Sequence, residues 1–120
     1  MKKKLNPMYI AEIGVNHSGE LNWALEHITK AASIGFNAVK FQFIDIQKIW
    51  HKDCENKFKL SKREEFSSAW FEPIRNHCKI LGIDVGYTPT FEGASKIIKN
   101  QLSDFIKVAS PQSEFDKFIL

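Results

Sequence analysis

Apolar positions along this chain recur with two different spacings, and the switches between them mark the elements. Residues 9–15, YIAEIGV, form a short run rich in Ile and Val between Pro7 and Gly19, the pattern of a buried parallel strand. Leu21, Ala24, Leu25, Ile28, Ala31 and Ala32 then repeat at helical spacing, and Gly35 supplies a stop. Residues 38–43, AVKFQF, predict a second strand, and the polar stretch 45–60 a long loop of the kind that is often functional. Ser61 and Glu64 have capping-box spacing, so a second helix is expected to start there, with Phe66, Trp70, Ile74, Cys78 and Leu81 as its inward stripe. Gly82 ends it, and Pro73 predicts a kink or break near Glu72. A third strand is predicted over 84–87, a short helix over 92–100, a fourth strand over 105–108 and the start of a fourth helix over 111–120. Strict β-α alternation without a hairpin signal predicts an α/β fold with a parallel sheet and right-handed crossovers.

Against this apolar pattern, the polar residues inside the strands stand out. Glu12 interrupts the first strand, where a desolvated carboxylate is tolerated only with a partner. Lys40 and Gln42 alternate with Val39, Phe41 and Phe43 in the second. In parallel βα architectures, reactive groups gather at the carboxyl ends of strands. Glu12, Asn16 and His17 belong to the end of the first strand, Lys40 and Gln42 to the second, Thr88 to the third, and Lys107, Ser110 and Gln112 to the fourth. Successive strands thus aim polar groups at one rim, which predicts an active site built on a barrel. The plainer reading is an ion pair of Glu12 with Lys40 or Lys107 kept for structure, with Gln42 satisfying backbone groups.

Composition narrows the class. With 43% hydrophobic residues and ten Phe the chain is globular, and its net charge of +3 comes largely from Lys2, Lys3 and Lys4. Without a further basic cluster, nucleic acid is not an expected partner. No segment is long and apolar enough for a membrane span. Cys54 and Cys78 form no framework, so a reduced, cytoplasmic compartment is expected. His17 invites reading as a metal ligand, but no second ligand lies at a matching spacing, and a loop cap or wall is expected instead. His27 and His77 fall on helices, His51 and Cys54 share a loop without an orienting third group, and Ser110 and Ser113 lack a nucleophile-elbow context.

The segments YIAEIGVNHSGEL and ASIGFNAVKFQF, with LGIDVGYTPTFEGA and FIKVAS after them, resemble the amino-terminal half of the N-acetylneuraminate (sialic acid) synthase family. The resemblance implies a TIM (β/α)8 barrel, of which this chain holds about four parallel βα units. It also implies condensation of phosphoenolpyruvate with N-acetylmannosamine or a related N-acetylated amino sugar, giving a nine-carbon 2-keto acid and phosphate. A divalent metal (Mn2+ or Mg2+) and a homodimer go with that activity in the complete enzyme. The metal-binding histidines of the family lie beyond residue 120, so no ligand is expected in this chain. By resemblance, Lys40, Thr88, Lys107 and Ser110 match positions that hold the phosphate and carboxylate of phosphoenolpyruvate, and Gln42 a residue that contacts the sugar. Glu12 matches an active-site carboxylate that orients the sugar, a lysine or the attacking water. Ser110-Pro111-Gln112 stands where the family commonly has Ser-Gly-Glu or Ser-Gly-Asp, so the sugar contact there changes from an acid to neutral Gln112. The third strand reads Thr88-Pro89-Thr90-Phe91 rather than Thr-Pro-Phe-Asp.

A closed barrel takes eight units and about 250 residues. Residues 1–120 are therefore expected to be the amino-terminal part of a larger barrel, without the family's carboxy-terminal antifreeze-like domain and inactive alone. Two alternatives follow: a non-catalytic half-barrel that acts by association through its open edge, or a related phosphoenolpyruvate aldol synthase with another aldose acceptor, such as a 3-deoxy-octulosonate phosphate synthase.

Overall fold

The computed structural model describes residues 6–44, 62–89 and 93–110. Through them run β1 (Ile10–Gly14), α1 (Leu21–Ser33), β2 (Ala38–Phe43), α2 (Phe71–Leu81), β3 (Asp84–Pro89), α3 (Gly93–Lys99) and β4 (Phe105–Ile106). Two single 3-10 turns, Lys62–Glu64 and Ser68–Trp70, precede α2. The strands form one sheet in the order β1-β2-β3-β4, and each neighbouring pair is parallel. A doubly wound sheet reverses direction at a switch point, whereas a barrel adds each strand to the same side of the last. The sequential order is that of a barrel arc, and the fold is a partial (β/α)8 barrel. The expected loop over 45–60, its Ser61 cap, His51, Cys54, Gln112 and the helix expected over 111–120 lie outside the described residues.

The registers Glu12↔Lys40 and Lys40↔Gly86, with Gln42↔Thr88 and Gly86↔Phe105 beside them, put these residues on one face of the sheet. The alternate residues Val39, Phe41, Val85 and Tyr87 are fully buried on the other face. They pack into one core with Ala24, Ile28 and Ala31 of α1 and Phe71, Ile74 and Cys78 of α2. Burying each large apolar side chain of this set contributes roughly 1.5–3 kcal/mol. The helical spacing expected for α1 is thus realised, with Leu21, Leu25 and Ala32 packed at the edge of the same core. Gly35, at φ 95°, carries the chain out of α1.

The second helix differs from expectation. It begins at Phe71 rather than near Ser61, with Pro73 inside its first turn. A proline there removes an N–H that has no intrahelical partner in any case, so the helix needs no kink. The segment before it is held instead by Ser67, whose hydroxyl accepts from the Ala69 N–H at 3.3 Å. With this later start the buried stripe is Phe71, Ile74 and Cys78, while Leu81, expected to face inward, is 37% exposed. Gly82 ends the helix in the left-handed region at φ 67°, as expected. The third strand extends two residues further than expected, with Pro89 opposite Phe43. The fourth is shorter, although the Lys107 N–H still donates to the Tyr87 carbonyl at 2.9 Å.

Candidate active site

At the centre of the concave face, Lys40 Nζ lies 2.6 Å from Glu12 Oε2 and donates to Thr88 Oγ1 at 2.6 Å. Three residues from three adjacent strands therefore form one chain of polar contacts. Lys40 is 7% exposed and Thr88 8% exposed. A desolvated ammonium needs such partners, and among the described residues Glu12 and Thr88 take two of its three donors. Glu12 corrects one expectation: its side chain is 52% exposed rather than buried. In the described sheet β1 is an edge strand, so solvent reaches the carboxylate from the side away from β2. The pair is accordingly asymmetric, a buried cation met by a wet anion.

A glycine sets the position of that carboxylate. The β1–β2 register shifts between Glu12 and Gly14, and Gly14 has φ 58°, the geometry of a bulge that re-aims a neighbouring side chain. A Cβ at Gly14 would stand 3.1 Å from Glu12 Oε1. Two strands on, Gly86 has a comparable role for Phe105, since a Cβ there would fall 2.2 Å from the ring. Phe105 consequently lies across β3 in the layer of Glu12 and Lys40, forming an apolar floor beside the cation. Sequence reasoning missed both glycines. An isolated Gly within a strand pattern is the signal that could have found them.

The remaining expected site residues are placed as follows. Gln42 is partly buried on the same face, in register with Thr88. Lys107 is exposed just past β4, and alternation puts it on the face of Phe105, continuing the row of Thr88. Asn16 is exposed in the turn after β1, its N–H donating to the Ile13 carbonyl at 2.9 Å. Ser110 is exposed beyond Lys107, and Gln112 is outside the described residues. The structure thus joins Glu12, Lys40 and Thr88 directly, sets Gln42 and Lys107 in the adjoining row, and leaves Asn16 and Ser110 on loops above the strand ends.

Titration is perturbed on the opposite, helix-facing side. Burial pushes the Cys78 thiol up to about 12, with Asp104 adding to it. Burial likewise raises Tyr87, whose hydroxyl is enclosed without a hydrogen-bond partner among the described residues. His17 is fully buried, its Nδ1 accepting from the Gly19 N–H at 3.0 Å, and burial followed by nearby His27 holds it below its ordinary value. It is a wall and turn cap, as expected from the sequence. Among the described residues no group of three or more His, Cys, Asp or Glu side chains could hold a metal ion. The carboxylate nearest the rim, Glu12, is already engaged by an ammonium. The described donors do not fit a divalent cation.

Residues 27–120 match the family model described as the NeuB family. The chain belongs to the NeuB family. It is 30% identical over 111 residues to the spore coat polysaccharide biosynthesis protein SpsE of Bacillus subtilis, covering 84% of this chain and 30% of that protein. It is 27% identical to the N-acetylneuraminate-9-phosphate synthase of Drosophila melanogaster, covering 90% of this chain and 32% of the relative. The chain therefore spans about a third of the length of these curated relatives. Among solved structures it resembles the N-acetylneuraminic acid (sialic acid) synthetase of Leptospira borgpetersenii serovar Hardjo-bovis, in complex with citrate, with a TM-score of 0.78 at 28% identity. That match covers 93% of this chain and 41% of the other. The resemblance first carried by AEIGVNH and VKFQ is thus upheld, and so is the partial barrel. The family match begins at His27, so Glu12 and the β1 turn lie outside it.

Proposed function

We propose that this NeuB-family chain supplies the first βα units of a sialic acid synthase-like enzyme. That enzyme condenses phosphoenolpyruvate with an N-acetylated amino sugar to give a nonulosonate and phosphate. The observation that carries the reading is the Glu12–Lys40–Thr88 contact chain on the concave face of a barrel arc. A buried lysine paired to one solvated carboxylate and one hydroxyl is preorganised, so its charge needs little rearrangement to meet an anion. Lys40, Thr88, Lys107 and Ser110 would grip the phosphate and carboxylate. Gln42, Asn16 and Gln112 would face the sugar. Glu12 holds the Lys40 ammonium in place until the substrate shares it. Cytoplasmic location and a homodimer belong to the same reading; no helix of the described residues is long and apolar enough to cross a membrane.

In an enzyme carrying this segment, Lys40→Ala raises KM for phosphoenolpyruvate by about tenfold or more and changes KM for the sugar far less. Steady-state kinetics with each substrate varied in turn measures this, and a defect selective for the sugar overturns the assignment. A second reading, another aldose acceptor on the same phosphoenolpyruvate chemistry, draws on the likeness to SpsE and on neutral Gln112. Mass analysis of the product separates the two.

A further inference from the structure

Directly after β1 the chain turns sharply. The N–H groups of Asn16, Ser18 and Glu20 donate to the carbonyls of Ile13, Val15 and His17 at 2.9, 3.2 and 3.0 Å. Ser18 has φ 52° and Gly19 φ 77°. For a side-chain-bearing residue such as Ser18, the left-handed region costs roughly 1–2 kcal/mol and persists only where the surroundings over-determine it. The group that closes this turn is His17. Its Nδ1 accepts from the Gly19 N–H at 3.0 Å, so the one proton of the neutral ring sits on Nε2.

That Nε2 is buried and has no hydrogen-bond partner among the described residues. Its surroundings are aromatic. The ring stands edge-to-face with Trp70 at 5.1 Å and 86° and with Phe66 at 6.0 Å and 80°, and tilted to Phe41 at 6.4 Å. A π face is a weak acceptor, and it is the kind these neighbours offer an N–H. Phe66 and Trp70 belong to the segment that leads into α2, and Phe66 also meets Phe43 and Tyr87 at 5.9 and 5.4 Å. One imidazole therefore has its Nδ1 on the turn after β1 and its ring in the cluster after β2.

We propose that His17 is a positioning residue, a neutral strut that ties the β1–α1 turn to the 66–70 segment entering α2 so that the two hold one shape. The turn carries Asn16 and follows the Gly14 bulge that aims Glu12, so the strut sets how the mouth is framed. Calling that mouth a substrate site rests on the proposed function. The coupling of the two loops does not.

The test uses the chain itself, by amide hydrogen exchange and long-range 15N spectra of the imidazole. The spectra show the Nε2–H tautomer for His17, and an Nδ1–H tautomer overturns the proposal. Trp70→Leu keeps an apolar side chain, though a smaller one, and removes the π face. It speeds Gly19 exchange by about tenfold, while strand amides at Phe41 and Tyr87 report any global loss. Gly19 protection unchanged relative to those strands means the loops are not coupled and sinks the idea. His17→Phe, a ring without an acceptor, exposes Gly19 to the same degree, whereas His17→Asn, an acceptor without the ring, restores Gly19 and makes Trp70→Leu silent there. If His17→Phe protects Gly19 as well as histidine does, the ring is filler and the proposal fails. Titrating an enzyme that carries this segment with phosphoenolpyruvate separates the two claims: absence of binding counts against the proposed function and leaves the exchange result standing.

Discussion

On the helix-facing side of the sheet, Phe41 and Tyr87 are fully enclosed among Phe66, Phe71 and their own neighbours. On the concave side, the adjacent residues Lys40 and Thr88 are almost as inaccessible but bonded to each other and to Glu12. The same two strands thus bury polar atoms in two ways. The Tyr87 hydroxyl is enclosed with no partner among the described residues, a group carried inward by its large apolar ring. The Thr88 hydroxyl, one residue on, has a charged partner at 2.6 Å. Burial alone therefore says little about a polar group's worth; what it meets when dry decides whether it stabilises or costs.

Variants can break this contrast in order of size. Phe41→Ala opens a cavity under both α1 and α2 and lowers unfolding free energy by about 3–5 kcal/mol in urea titrations, with an unchanged m-value. Thr88→Val removes the acceptor of a buried ammonium and costs about 1.5–3 kcal/mol by the same measurement. A neutral result would mean that Lys40 finds another partner.

The pH dependence is smaller. His17 is buried in its neutral form and its folded pKa lies below the ordinary 6.5, so an unfolded chain takes up the proton first as pH falls. Its contribution is fully present above about pH 6.5 and is lost below it, by at most about 1.4 kcal/mol per pH unit. Urea midpoints between pH 7.5 and 5.5 should fall in the native chain and flatten in His17→Phe. An equal slope in both would mean that His17 does not carry the effect. Tyr87→Phe is the smallest change. It deletes an unpartnered hydroxyl and leaves stability the same or up to about 1 kcal/mol higher; a loss above that size would reveal a partner for the hydroxyl.

Strand positions, the α1 stripe, the stops at Gly35 and Gly82 and the polar residues of the rim were all legible in the linear chain. Each depends on spacings of two to four residues or on a single glycine, and such local periods survive whatever the rest of the molecule does. So did the family, because VKFQ and AEIGVNH lie on strands whose order is local. Tertiary structure decided the rest. Glu12 is half solvated in the described sheet, where β1 is an edge strand, and α2 starts at Phe71, with Phe66 and Trp70 packed on His17 ahead of it. The Phe105 ring is compatible only with a glycine at position 86 beneath it, a contact made by the β3–β4 register. Those outcomes join residues far apart in the sequence, and their energies exist only once strand register and helix packing have brought the partners together.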